Sequence, residues 1–401
     1  MSSREFIPFH RPSTDQAEID AVAATLRSGW LTTGPRTAQF ETEFGKYVNA
    51  PHALAVNSCT AGLHLALVAL NIGPGDEVIT TPLTFCATVN CILHTGATPV
   101  LADIGDDGNI DPESIRERIG PATRAIIPVH YAGLPCEMNA IWTTARKKGL
   151  YVIEDAAHAV GAYYRGLPVG AGNPSAGFAS EAVAFSFYAT KNLSTGEGGM
   201  VTTHRAELYE RMRILCLHGI SQDAWDRYTE KGKWYYEVVE CGFKYNLSDI
   251  QSAIGIEQLH KLEQFQEIRR TYAEYYHSRF EDISEIELPA GNPYCKHAWH
   301  LYSLKLNLDK LSINRAEFIE ELRRRGVGAS VHFIPIPEHP FFARHASLPR
   351  SQCPKALRMY PRLVSLPLYP ALTFAELSHI ADSVKAIVNE YKRTHIYVAG
   401  R

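Results

Sequence analysis

The 401-residue chain lacks the marks of a secreted, membrane-spanning or nucleic-acid-binding protein. It has eight cysteines, all scattered, with no C-x-x-C pair. That spacing does not make a disulfide frame. In a chain this long it reads as reduced, buried thiols and a cytoplasmic location. No window approaches 18 consecutive apolar residues, so no membrane span is expected. The start, "MSSREFIPFHRPSTDQ", lacks the apolar core of a signal peptide. Neither sign of charge dominates: 40 Lys and Arg against 43 Asp and Glu leave a net charge of −3. There is thus no basic field for nucleic acid or an anionic membrane. Low-complexity segments and solenoid repeats are absent as well. What remains is an ordinary globular composition with enough chain for two domains.

From about residue 52 to 204, short apolar runs alternate with helical patterns. "HALAVNS" reads as a strand, and "TAGLHLALVALNIG" as a helix apolar nearly all round and closed by Asn71 and Gly73. "DEVITTP", "ATPVLADI", "RAIIPVH" and "LYVIEDAA" read as further strands, with helices such as "MNAIWTTARKKG" between them. This βαβα rhythm predicts an α/β fold with a mostly parallel central sheet covered by helices on both faces. Ligands on such sheets sit beyond the carboxyl ends of the strands. After "NLSDIQSAIGIEQLHKLEQFQEIRRTYAEYYHSRF", one long helix or two in line, the texture changes. "HAWHLYSLKLNL" alternates like a strand with one exposed face, and "NRAEFIEELRRRGV" reads as a capped helix. A large domain over 1–255 and a smaller α+β domain over 256–401 are therefore expected. "IPIPEHPFFARHASLPRSQCP" is too long to be a plain connector.

Groups able to do chemistry gather at the predicted strand ends. Ser58 and Thr60 place hydroxyls, and the chain places free N–H groups, at a helix N-terminus, which makes an anion cup. An ordinary N-cap would look the same. Phe85 follows the next strand; taken alone it would be a core residue. "YVIEDAAHAVG" ends an apolar strand with Asp155, whose buried carboxylate needs a positive or donor partner. Lys191 ends the run "AVAFSFYATK", five residues after Ser186. A lysine in a low-dielectric crevice loses basicity and becomes a nucleophile towards carbonyls. Each feature is weak alone. Together they match pyridoxal 5′-phosphate (PLP), which needs an anion cup, a flat side chain, a carboxylate at its pyridine nitrogen and a lysine at its aldehyde.

Seven stretches in colinear order resemble the DegT/StrS family of PLP-dependent sugar aminotransferases, of the aspartate-aminotransferase fold type (fold type I). They are "SGWLTTGP", "NSCTAGLHLAL", "GDEVITTPLTFCAT", "PVHYAG", "IEDAAHAVGAYY", "FSFYATKNLSTGEGG" and "GFKYNLSDIQSAIG". Within the family, "PVHYAG", "GFKYNLSDI" and "HAWHL" are most similar to the branch that makes UDP-4-amino-4-deoxy-L-arabinose. The resemblance implies roles. Lys191 matches the Schiff-base lysine and Asp155 the partner of the pyridine nitrogen. His158 matches the group against the ring's phenolic oxygen, and Phe85 the stacking aromatic. Ser58, Cys59, Thr60 and Ser186 match phosphate contacts, and Asn246 a phosphate contact from the neighbouring subunit of a homodimer with shared sites. Trp30, Leu31 and Thr32, with the loop around His332, match regions that face the sugar. The implied substrates are L-glutamate and a nucleotide-linked keto-sugar. One position departs from the pattern: where many members carry a His two residues after the proline of "HFIP", this chain has Pro337.

Other tempting motifs read blandly. "HAWH" has His297 and His300 but no third ligand at metal spacing, so no metal is expected. His300 lies near the active site or packs in the small domain. "RRR" (323–325) suits the solvated end of a helix, where the dipole favours cations. "GEGG" (196–199) lacks the spacing of a dinucleotide fingerprint. Two rival functions remain. A sugar dehydratase of the same fold would carry histidine at the lysine position, and a non-catalytic PLP-binding protein would have lost Lys191 or Asp155.

Overall fold

The computed structural model describes residues 5–170, 172–221 and 235–393. The apolar runs between turn signals become strands β1 (His52–Val56), β2 (Glu77–Thr80), β3 (Thr98–Leu101), β4 (Thr123–Ile127) and β5 (Tyr151–Asp155). A short hairpin, β6 (Tyr163–Tyr164) and β7 (Leu167–Pro168), precedes β8 (Ala182–Ser186) and β9 (Gly199–Thr203). Seven of these form one sheet in the order β1-β9-β8-β5-β4-β2-β3. Six strands run parallel, and β9 alone runs against both its neighbours. The parallel strands therefore present their carboxyl ends along one edge, where open α/β sheets bind ligands.

Helices α1 (Gln16–Ser28) and α2 (Pro35–Tyr47) come before the sheet. The crossovers carry α3 (Cys59–Ala69), α4 (Ala87–His94), α5 (Pro112–Arg118) and α6 (Met138–Lys148), and α7 (Ala206–Cys216) follows β9. Helix α3 is apolar all round because it is enclosed: Leu63, Leu65, Ala66 and Leu67 pack with sheet residues and with Met212 and Leu215 of α7. The next helix, α8 (Asp249–Phe280), is a single 32-residue helix that opens on a capping box of Ser248 and Gln251. Its first half contributes Ala253's neighbour Ile256, with Leu259 and Leu262, to the core beneath the sheet. Its second half gives Ala273, Tyr276 and Phe280 to a separate core. The boundary expected near residue 255 thus falls inside a helix that serves both cores.

The second core lies between an antiparallel sheet and three helices, the second half of α8 being one of them. The sheet is β10 (Ile286–Glu287), β12 (Tyr302–Leu306) and β13 (Leu363–Leu366), while β11 (Cys295–Lys296) joins the β6–β7 hairpin. Helices α9 (Arg315–Arg324) and α11 (Phe374–Tyr391) cover it, and the short α10 (Pro354–Met359) precedes β13. The alternation in β12 predicts an exposed polar face, yet all five of its residues are buried. Its polar face docks on the large unit: Tyr131 Oη lies 3.2 Å from Ser303 Oγ, and Lys305 Nζ donates to the carbonyl of Asp106 (2.9 Å). The proline-rich loop also packs inward, placing Ile336, Phe342 and Leu348 against Leu83 and Val89. The N-terminal segment joins the second core too, through a parallel bridge of Ile7 to Val327. No helix among the described residues is long and apolar enough to cross a membrane.

Candidate active site

Three strand ends build the site. Beyond β1, Ser58 caps α3, its Oγ accepting from Ala61 N (3.1 Å). This leaves the first-turn N–H groups of α3 facing the sheet edge. Gly199 of β9 lies directly behind: a Cβ there would stand 2.7 Å from Cys59 N, so only glycine lets β9 come this close. At the end of β5, the carboxylate of Asp155 accepts from Thr88 Oγ1 (2.8 Å) and Ala157 N (3.1 Å), with the Cys59 thiol at 3.8 Å. Burial raises its pKa above the ordinary carboxylate value, and the Thr88 bond is the largest influence holding it down. After β8, the Tyr188–Lys191 turn (Lys191 N to Tyr188 O, 2.8 Å) brings Lys191 inward. Burial lowers the Lys191 amine to about 8.

Four imidazoles surround this amine. The His158 ring centroid is 4.3 Å from that of His300 and 5.6 Å from Phe333. His300 Nε2 is 3.5 Å from Lys191 Nζ. His332 Nδ1 is 2.9 Å from Ser365 Oγ, and its ring stacks on Phe9 at 5.4 Å. Burial, reinforced by the Lys191 charge, holds His158 and His300 far below the ordinary imidazole value. The same causes bring His332 to about 4. His10 is also brought to about 4, chiefly by burial and then by the Arg269 charge. Near neutral pH the ring of histidines is therefore uncharged, and the lysine is the titrating base among them.

These residues line one cavity of about 540 Å³. Of the residues singled out in the sequence, it brings together Ser58, Cys59, Thr60, Phe85, Asp155, His158, Ser186, Lys191 and His332. Phe85 is 61% exposed, which sets it at the cavity mouth and not in the core. Trp30, Leu31, Thr32 and Asn246 do not line the cavity. They form a second group, in which Trp30 Nε1 donates to Thr33 O (3.2 Å) and Asn246 Nδ2 to Thr33 Oγ1 (2.6 Å). Asp249 secures it, its buried carboxylate accepting from Gly34 N, Arg36 N, Thr37 N and Thr37 Oγ1 at 2.7–3.0 Å.

Sequence reasoning missed Phe9, His10, Thr88, Tyr188 and Phe333, and left His300 open. Phe9 and His10 precede the first helix and carry no periodic signal. They reach the cavity because the segment is tied at both ends, at Ile7 to Gly326 and Gly328 and at Ser13 O to Gln258 Nε2 (2.8 Å). Thr88 had a local signal, "TFCAT" after a strand, but nothing in the chain aims it at Asp155.

The donor set can be tested for PLP on this geometry. The buried Nδ1 of His158 has no hydrogen-bonding partner among the described residues, and His158 lines the same cavity as Asp155 and Lys191. With the N-terminus of α3 and a lysine of reduced basicity lining the same cavity, the residues fit the cofactor. Residues 12–385 match the DegT/DnrJ/EryC1/StrS aminotransferase family. The chain belongs to this family. It is 46% identical over 385 residues to the spore coat polysaccharide biosynthesis protein SpsC of Bacillus subtilis, covering 96% of this chain and 97% of that one. Spr1654 of Streptococcus pneumoniae, assigned as a sugar aminotransferase and solved in its PMP form, superposes with a TM-score of 0.89 at 32% identity, covering 96% and 99% of the two chains. PseC of Helicobacter pylori, an aminotransferase of pseudoaminic acid biosynthesis, superposes with a TM-score of 0.87 at 31% identity, covering 97% and 100%. This family is PLP-dependent, and its fold is PLP fold type I.

Proposed function

We propose that this PLP-dependent sugar aminotransferase moves the amino group of L-glutamate to the keto carbon, C4, of a nucleotide-linked keto-sugar. The observation that carries this reading is the placing of Lys191 and Asp155 in one cavity, with the anion cup of α3 beside them. Bound PLP supplies an aldehyde that carries the amino group and a protonated ring that takes up the electron pair left on the α-carbon. The rest is the work of the protein. An amine lowered to about 8 is partly unprotonated near neutral pH, so Lys191 can act as a nucleophile and then shuttle a proton. Asp155, buried and holding two strong hydrogen bonds, offers a fixed negative charge to a cationic ring nitrogen. Ser58, Cys59, Thr60 and Ser186 would hold the phosphate, and Phe85 and His158 would contact the ring, all of them lining the same cavity.

The motifs "PVHYAG" and "GFKYNLSDI" favour a UDP-4-keto-pentose as acceptor. Asn246 and the Trp30–Thr32 turn lie off their own chain's cavity, which agrees with a homodimer in which each chain completes its partner's site. The test incubates the enzyme with glutamate and a panel of UDP- and dTDP-linked 4-keto-pentoses, 4-keto-6-deoxyhexoses and 3-keto-sugars, and reads products by mass. Amination of the UDP-4-keto-pentose is the expected result. Amination of a 4-keto-6-deoxyhexose alone would replace the pentose, and no amination of any sugar would overturn the reading.

A further inference from the structure

The surroundings of His300 decide which of its nitrogens carries the proton. Asn192 Nδ2 donates to the carbonyl of Ala298 at 2.7 Å. A carbonyl can only accept, so the amide of Asn192 is oriented and its Oδ1 must face the other way. That oxygen lies 3.2 Å from His300 Nδ1. An amide oxygen can only accept in turn, so Nδ1 carries the hydrogen. His300 is buried, and its neighbours, Lys191, His158, Arg269 and His332, all disfavour a second proton. In the neutral ring Nε2 is left with a bare lone pair, and it is Nε2 that stands 3.5 Å from Lys191 Nζ.

The main chain that holds this ring is fixed from two directions. Ala298 N donates to Gly133 O (2.9 Å) and Leu301 N to Ala132 O (3.2 Å), which docks the turn on the large unit. From α8, the fully buried Arg269 donates through Nη1 to the carbonyls of Trp299 (3.1 Å) and Leu368 (2.7 Å). Neither the ring nor its tautomer is free to change without breaking these bonds.

We propose that His300 is a positioning residue for Lys191: its Nε2 lone pair, aimed by the Asn192–Ala298 relay, receives a hydrogen of the Lys191 amine and sets that amine's direction and basicity. A neutral acceptor stabilises the ammonium form, so it partly opposes the effect of burial. The role is needed when Lys191 is free, as it is while PLP carries the amino group. It rests on the reading of Lys191 as the PLP-bonding lysine.

The test uses the cofactor-free protein. Competitive acetylation with acetic anhydride across a pH series, read on the peptide holding Lys191, gives the titration of this one amine. Wild type should show a midpoint near about 8. His300→Phe should titrate about one pH unit lower, as expected for loss of a hydrogen bond to a charged group. His300→Gln places a carbonyl oxygen near the Nε2 position and should return the midpoint towards wild type. Independently, ¹⁵N spectra of histidine-labelled wild type, with the His300 signal identified by its loss in H300Q, should show the proton on Nδ1. Unchanged titration in both variants, or a proton on Nε2, overturns the proposal. Borohydride trapping of PLP on the loaded enzyme, with peptide mapping, tests the underlying reading separately: label on another lysine removes Lys191 from the chemistry, whatever its titration.

Discussion

Thr88 Oγ1 lies 2.8 Å from Asp155 Oδ2, joining the first turn of α4 to the last residue of β5. The bond gives a buried carboxylate a donor, without which the neutral acid would gain population. Thr88→Val should raise the Asp155 pKa further. Because the carboxylate works as an anion, activity that is lost as pH falls through this pKa will be lost at higher pH in the variant. We expect kcat/KM at neutral pH to fall about tenfold, the worth of a hydrogen bond to a charged group. Thr88→Ser should retain most of the rate. A pH–rate profile of T88V that overlays the wild type would remove Thr88 from this role.

Lys191→Ala leaves the α3 cup and Asp155 in place. The variant should bind PLP without the absorbance band of the lysine-bound cofactor, and transamination should drop about a thousandfold or more, because the proposed reaction uses one amine as both nucleophile and proton carrier. Absorbance titration and a coupled 2-oxoglutarate assay measure the two effects. Turnover near the wild-type rate would assign the chemistry to another group.

Glycine at 199 is a requirement of packing. An alanine Cβ would sit 2.7 Å from Cys59 N at the cup and from Phe185 O of β8, so both backbones would have to shift. Gly199→Ala should weaken PLP binding at least about tenfold, by an amount comparable to ordinary overpacking costs. Gly291→Ala, with nothing within 4 Å of its added Cβ, is the control and should bind PLP as wild type does. Fluorescence titration of the cofactor-free variants with PLP decides.

Asp249 is 1% exposed and holds four donors of the 34–37 segment. Asp249→Ala strands them in the interior and should cost about 3 kcal/mol of stability. Asp249→Asn keeps an acceptor for part of the set and should cost less. Urea denaturation followed by circular dichroism tests the order, and equal midpoints for wild type and D249A would contradict it.

Much of this protein is legible one residue after another. Alternating apolar runs and capped helices dictate the βα order, because burial on both faces of a parallel sheet needs continuous apolar strands and helices between them. Chain order also puts Ser58, Asp155 and Lys191 at or just after the ends of β1, β5 and β8, and parallel strands end on the same side. These local patterns determined the fold class and the cofactor chemistry.

Other features depend on contacts between distant parts of the chain. The face of β12 that alternation leaves polar is buried only because Asp106 and Tyr131, well over a hundred residues earlier, come down on it. His10 and Phe9 enter the cavity because the ends of their segment are tied to Gly326 and Gln258. The role of Thr88, the tautomer of His300 and the separation of Trp30 and Asn246 from their own chain's cavity are likewise set by such pairings. No period or propensity encodes them, because each depends on two segments meeting that share no local pattern. Sequence alone determined the order of strands and helices and the family motifs they carry; only the tertiary structure decided which candidate groups share one cavity and which neighbours hold them, and so what charge each one carries.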